Sequence, residues 1–150
     1  MADPARAIEN LLYTYAERLD AGDLEGVAEL FTHGRIQASA SAPPEQAVAG
    51  RDAVLALYRA STRLYADGRP HTRHLTSNAI IEVHDGGLAA AVRSCFTVFQ
   101  QVDDFPLQPI ISGRYHDTFE RLDGRWWFDT RLMFVDLVGD LSRHLLYKLG

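Results

Sequence analysis

The sequence contains one cysteine, Cys95. A lone thiol excludes an intrachain disulfide and a cysteine-built metal centre. It is compatible with a reducing setting, and the expected location is cytoplasmic. No apolar run approaches the ~20 residues that cross a bilayer as a helix. The opening residues, MADPARAIENLL, lack a basic region followed by an apolar core, so no secretory leader is expected. Positive charge is also in short supply. Lys and Arg total 15 against 20 Asp and Glu, a net charge of −5. That balance argues against nucleic acid and anionic membrane surfaces as partners. Metal-ligand spacings such as HxH and HExxH are missing, as are GxSxG, the P-loop and the dinucleotide fingerprint. Neither a metal nor an organic cofactor is expected. No repeat, low-complexity tract or linker divides the chain, so residues 1–150 read as one domain. With 47% hydrophobic residues, a chain of this length can bury a sizeable core.

What is present begins with YTYAERLDAGD at 13–23. Residues 4–21 read as a helix, because Ile8, Leu11, Leu12, Tyr15 and Leu19 recur at three- and four-residue spacing. Asp3 is its N-cap and Pro4 its first helical residue. Gly22 breaks it. Asp23 then caps a short second helix with Leu24, Val27, Ala28 and Phe31 on its apolar face. Asp20 lies in the last turn of the first helix, where the helix dipole disfavours an ionised carboxylate. It sits near the edge of the apolar stripe. Dipole and desolvation together are expected to raise its pKa and make it a candidate acid or base. The plain alternative is a solvated carboxylate on a surface helix.

Arg35–Ser39 reads as a short strand, and Ala40–Gly50, with Pro43-Pro44, as a loop or flap. A third helix is expected over 51–66, with Val54, Leu57, Tyr58, Ser61, Leu64 and Tyr65 inward. The period then changes to two. Strands are expected at about 71–84, 88–102, 107–122 and 125–138, joined by turns at 85–87, 103–106 and 123–124. Three helices followed by a long antiparallel meander give an α+β domain with the helices on one face. The tail, 139–146, is expected to form a terminal helical turn.

The first long strand leaves two readings, a row of polar groups turned into the domain or the same row turned to solvent with the alternate face as core. His74, Thr76 and Asn78 share one face of the first long strand, and Val92, Ser94, Phe96 and Val98 one face of the next. Tyr115, Asp117 and Phe119 point inward on the third. On the last strand, Trp126 and Phe128 share a face opposite Trp127, Asp129 and Arg131. Asp117 and Arg131 are expected to pair. His33, His71, His84 and His144 lie at loops or element ends and read as surface residues.

The order of elements, together with YAERLDAGDLEGVAELF at 15–31, GRDAVLALY at 50–58, DGRPHTRHLTSNAIIEV at 67–83 and SGRYHDTFERLDGRWWF at 112–128, resembles a known family. It is similar to the SnoaL-like branch of the nuclear transport factor 2-like superfamily over essentially the whole chain. The resemblance implies a cone, in which three N-terminal helices close over a curved antiparallel sheet and enclose a pocket. It also implies a homodimer through the outer sheet face. Scytalone dehydratase and bile-acid 7α-dehydratase offer a functional analogy within that superfamily. They imply catalytic roles for Asp20 in LDAGD and His74 in TRHLTSN, with Tyr15 as a pocket tyrosine. The resemblance departs on the next strand, where those enzymes carry a further His or Asp and this chain has Phe96, Thr97 and Val98.

On this basis the expected activity is cofactor-independent acid–base chemistry of the dehydratase or isomerase type. The expected substrate is a small hydrophobic ring compound, such as a steroid or polyketide. Tyr58, Asn78, Ser94, Phe96 and Tyr115 are the expected substrate-binding residues. The alternatives are a non-catalytic dimeric ligand-binding or scaffold domain, and a polyketide cyclase.

Overall fold

The computed structural model describes residues 3–38 and 41–148. The expected strand end at Ser39 and loop start at Ala40 lie outside the described residues. Three helices form: α1 (Pro4–Asp20), α2 (Leu24–Glu29) and α3 (Arg51–Ser61). Asp3 caps α1 by accepting from the Ala5 amide at 3.0 Å, and Pro4 occupies the first turn. Ile8, Leu12, Tyr15 and Leu19 bury the stripe. Gly22 ends the helix at φ 76°, and a Cβ there would stand 1.9 Å from the Gly68 carbonyl oxygen. Only glycine meets both demands, so the chain leaving Asp20 packs directly on the turn that leads into the first long strand.

Six strands make one sheet: β1 (Arg35–Gln37), β2 (Val48–Ala49), β3 (Thr72–His84), β4 (Ala89–Val102), β5 (Phe105–Leu122) and β6 (Arg125–Val138). Their order across the sheet is β2-β1-β6-β5-β4-β3. β3 to β6 form the expected antiparallel meander. The sheet is nonetheless mixed, because β1 runs parallel to β6, pairing Arg35 with Thr130 and Gln37 with Leu132. The helices cover one face, and the core lies between them and the sheet around Ile8, Leu12, Phe31, Phe119 and Phe128.

Two of the five register shifts along the long strands decide which side chains near the site face inward. In β3 the register shifts between Ser77 and Ile80, and Asn78 takes φ 55°. The inward row His74, Thr76 therefore continues as Ala79 and Ile81, and Asn78 is turned out. In β6 the shift falls opposite Thr118 and Phe119, with Phe119 facing Phe128 and Asp117 facing Arg131. Simple alternation places Arg131 opposite Phe128. The extra residue brings both to the buried side.

The third helix is shorter than its periodicity implies. It stops at Ser61, and Thr62 takes an extended conformation to bridge Leu145. The Arg63 amide donates to the His144 carbonyl at 2.8 Å, and the Leu146 amide donates to Ser61 at 3.0 Å. The C-terminal segment thus claims backbone groups that a longer helix would use. Leu64, expected inward, is exposed. The tail makes one helical turn, with the His144 and Leu145 amides both bonding the Leu141 carbonyl. His144 is buried within it, contrary to its expected place on the surface. Among the described residues, no helix is long and apolar enough to cross a membrane.

Candidate functional site

Asp20, the last residue of α1, reaches across to the start of β3. Its Oδ1 accepts from Thr72 Oγ1 at 2.8 Å, and its Oδ2 accepts from the His74 amide at 2.8 Å. His74 Nδ1 lies 2.5 Å from Oδ1. A carboxylate at that distance accepts, so Nδ1 carries the proton and Nε2 is left as the basic nitrogen. Asp20 thereby fixes the tautomer and the plane of the imidazole.

His74 forms part of the wall of a cavity of about 220 Å³. Tyr15, Tyr58, Phe96 and Tyr115 line it, with Met133 from β6 and His144 from the tail. A larger groove of about 810 Å³ lies along Tyr13, Glu17, Arg69 and Arg73, and Asp20 and His74 border it too. The smaller cavity is the better candidate, since there His74 shares a largely apolar wall with Tyr15, Tyr58 and Tyr115, whereas the groove offers it Tyr13 alone among tyrosines.

The Tyr15 and Tyr58 hydroxyls are hydrogen-bonded to each other. The Tyr15 and Tyr115 rings stand edge to face at 6.2 Å, and Phe96 stacks on Tyr115 at 4.4 Å. Behind them lies Arg131, with its Cζ 3.6 Å from the Tyr115 ring centroid and 4.3 Å from that of Tyr15. Asp117 holds the guanidinium through two bonds, of 2.9 and 3.0 Å. A buried cation on these ring faces withdraws electron density and favours the phenols as donors.

The electrostatics follow from these contacts. Burial pushes the Asp20 carboxyl up, but the hydrogen bond and charge of His74, the His74 amide and the Thr72 hydroxyl together hold it below its ordinary value. This corrects the expectation of a raised pKa, which counted the dipole and desolvation but not three donors converging on one carboxylate. Burial holds the Tyr58 and Tyr115 phenols well above their usual pKa, so both keep their protons. His144 is depressed by burial and by the neighbouring His74, with Asp20 opposing, from 6.5 to about 4.

That last shift sets a pH dependence of stability. Above pH 6.5 the ring is neutral in both folded and unfolded chains, and the fold keeps its full stability. As the pH falls from 6.5 toward 4, the unfolded chain takes up a proton that the folded chain refuses. The resulting loss is up to about 3 kcal/mol. Tm measured from pH 7.5 to 4 is expected to fall less steeply in His144→Phe than in the parent chain. Parallel profiles would show that His144 does not titrate as its burial demands.

Of the residues expected from sequence, Asp20, His74, Tyr15, Tyr58, Phe96 and Tyr115 come together. Asn78 does not join them. It is exposed on the outward side of the β3 bulge, where its amide points at Cys95 Sγ, 3.9 Å away. Ser94 is buried beneath the helices but is not part of the cavity wall. The sequence reading missed His144 as a lining residue. It lies in GDLSRHLL, and no periodicity there separates a buried histidine from a surface one. Among the described residues, no three His, Cys, Asp or Glu side chains are grouped as a metal ion requires.

Comparison with known proteins agrees with this architecture. The family model for the SnoaL-like domain matches residues 2–132. No curated protein matches the chain. Among solved structures, a candidate scytalone dehydratase from Novosphingobium aromaticivorans superimposes with a TM-score of 0.71 at 25% identity, covering 97% of this chain and 89% of that one. A Mycobacterium tuberculosis protein of unknown function gives a TM-score of 0.68 at 24% identity, over 89% of this chain and 72% of the other. The β subunit of a candidate aromatic-ring-hydroxylating dioxygenase from N. aromaticivorans gives 0.68 at 22%, covering 89% of each chain. The last two likenesses are of fold.

Proposed function

The chain belongs to the SnoaL-like domain family, within the nuclear transport factor 2-like superfamily, and on that premise we propose that it is a cofactor-independent acid–base enzyme of the dehydratase or isomerase type. The observation that carries the reading is His74, oriented by Asp20, on the wall of a cavity whose other polar groups are mainly phenols. His74 Nε2 removes a carbon-bound proton beside a carbonyl. A tyrosine hydroxyl donates to the carbonyl oxygen as negative charge develops on it. In a dehydration the C–O bond to the neighbouring hydroxyl then breaks. The imidazolium returns its proton to that leaving group, which departs as water. In an isomerisation the same proton returns to a different carbon. Asp20 steadies the imidazolium between the two transfers.

The cavity bears on substrate size. A dry protein cavity of roughly 150 Å³ accepts benzene, so about 220 Å³ suits a one- or two-ring compound. A four-ring steroid would have to extend beyond it. The direct test is to screen hydroxylated mono- and bicyclic ketones for loss of water by mass spectrometry and for new conjugation by absorbance. Turnover that vanishes on His74→Ala supports the reading. Full turnover in that variant overturns it. A second reading, a non-catalytic ligand-binding or scaffold domain, draws on the same contacts. Among the described residues, every side-chain hydrogen bond of Asp20 joins α1 to β3, as a structural clamp would.

The assembly proposed with this reading is a homodimer through the outer sheet face, where Leu75 and Ile80 of β3 stand exposed. Light scattering at micromolar concentration is expected to give twice the chain mass. The monomer mass would rule the dimer out.

A further inference from the structure

We propose that the cavity takes an uncharged, amphiphilic compound end-on, with an oxygen-bearing ring at its tyrosine floor and an apolar substituent leaving through a mouth between β6 and the C-terminal segment. The inference rests on the proposed function and names the substrate class of that same site. The cavity has two unlike ends. Tyr15, Tyr58 and Tyr115 are at most 7% exposed, and the first two join their hydroxyls. Val135 of β6 and Tyr147 of the tail line the same cavity but are 46% and 53% exposed. Val135 lies two residues beyond Met133, which also lines the cavity, so both point into it. A strand residue that faces a cavity and still meets solvent marks the opening. Ala38, one residue past β1, lines that end as well and is exposed.

A register shift keeps the mouth apolar. Gly113 pairs with Val135 and Ser112 with Leu137, so Asp136 is the extra residue of β6. Arg114 neighbours Tyr115 on β5 and therefore points to the outer face. It holds the Asp136 carboxylate there, at 2.9 and 3.1 Å. Val138 pairs with Ile111, another lining residue, and carries the apolar rim outward at 58% exposure.

The lining decides what can enter. Among the described residues, none that lines the cavity is Asp, Glu, Lys or Arg. A carboxylate or phosphate would leave water with no cation to receive it. The net charge of −5 opposes an anion further. One or two rings fill a space of about 220 Å³. A substituent on them has its way out past Val135, Val138 and Tyr147, and it gains by covering their exposed apolar surface.

The test titrates 4-alkylphenols, from 4-ethylphenol to 4-heptylphenol, into the full chain carrying 15N-labelled histidine. Calorimetry gives the affinities, and the His74 ring signals are assigned by their loss in His74→Gln. Every member is expected to move the His74 ring nitrogens. Affinity should rise about twofold per added methylene, as partial burial gives. 4-Hydroxybenzoate, anionic at the far end of the ring, should bind at least about tenfold more weakly than 4-ethylphenol. In Val135→Asn and in Tyr147→Ser, each confirmed as folded by its melting transition, the gain per methylene should largely vanish. Tyr147→Ser lies in the tail and reads the mouth without disturbing a strand. If His74 responds but affinity ignores chain length, or rises equally in both variants, the inference fails and the proposed function stands. It fails likewise if 4-hydroxybenzoate binds as well as 4-ethylphenol. It also fails if the variants are monomers where the parent chain is a dimer, since the rim is then a subunit contact. If no phenol moves His74, the inference and the proposed function both fail.

Discussion

Asp117→Ala is expected to destabilise the protein by about 3–5 kcal/mol, the usual result of stranding a buried charge. Arg131 is the largest fully buried side chain, at 1% exposure, and Asp117 is its only ion-pair partner among the described residues. The pair spans directly opposed positions of β5 and β6 and is bidentate, at 2.9 and 3.0 Å. Without the carboxylate, the guanidinium keeps only the faces of Tyr15, Tyr115 and Phe128. Those contacts supply about 0.5–2 kcal/mol each, well short of the cost of holding a cation out of water. Urea unfolding, read as a shift in midpoint at constant m, measures the loss. Combining Asp117→Leu with Arg131→Met should recover much of it, because an apolar pair of similar volume carries no desolvation cost. A single-variant loss below about 1 kcal/mol would mean that water reaches the guanidinium. The pair also fixes two cavity tyrosines from behind, so the same variant should weaken ligand binding even where it remains folded.

The helices and long strands were legible because their periods are set by burial. The stripe from Ile8 to Leu19 and the alternation of Val92, Ser94, Phe96 and Val98 are the core seen from one chain. Asp20 was marked by its place in the last turn of the first helix and His74 by its strand face, and the resemblance joined them as a pair. What escaped depends on contacts distant in sequence. Each bulge adds one residue to a strand, and a single residue inverts every face beyond it. Alternation therefore placed Asn78 inside and Arg131 opposite Phe128, and the structure reverses both. The end of α3 was misplaced because the residues that stop it, Leu145 and its neighbours, lie some 80 positions away, as the Thr62–Leu145 bridge shows. His144 was missed for the same reason. Its burial is a property of that bridge and not of the residues around it. The direction of the Asp20 pKa likewise turned on Thr72 and the His74 amide, partners that a helical wheel does not show.

Asp20→Asn is expected to lower kcat by about two to four orders of magnitude while leaving the fold in place, the scale on which an orienting carboxylate acts in a hydrolase triad. The side chain now accepts from three donors: Thr72 Oγ1, the His74 amide and His74 Nδ1. An asparagine has one acceptor oxygen and must turn its NH2 toward one of those donors. If the NH2 faces the imidazole, Nδ1 becomes the acceptor, the proton moves to Nε2, and the base is lost to the cavity. If it faces the His74 amide or Thr72 instead, the imidazolium formed during turnover has no anion to steady it. Either way the chemical step suffers and ground-state binding does not, so KM should stay within about threefold. The fold should tolerate the change. Removing a negative charge from the C-terminal end of α1 returns about 0.3–1 kcal/mol, against the charge-assisted bonds given up. His74→Ala should be at least as slow. Kinetics on the first ring compound found to be turned over decide the matter. If Asp20→Asn were as fast as the parent chain, the carboxylate would be a clamp between α1 and β3, and the binding or scaffold reading would take precedence.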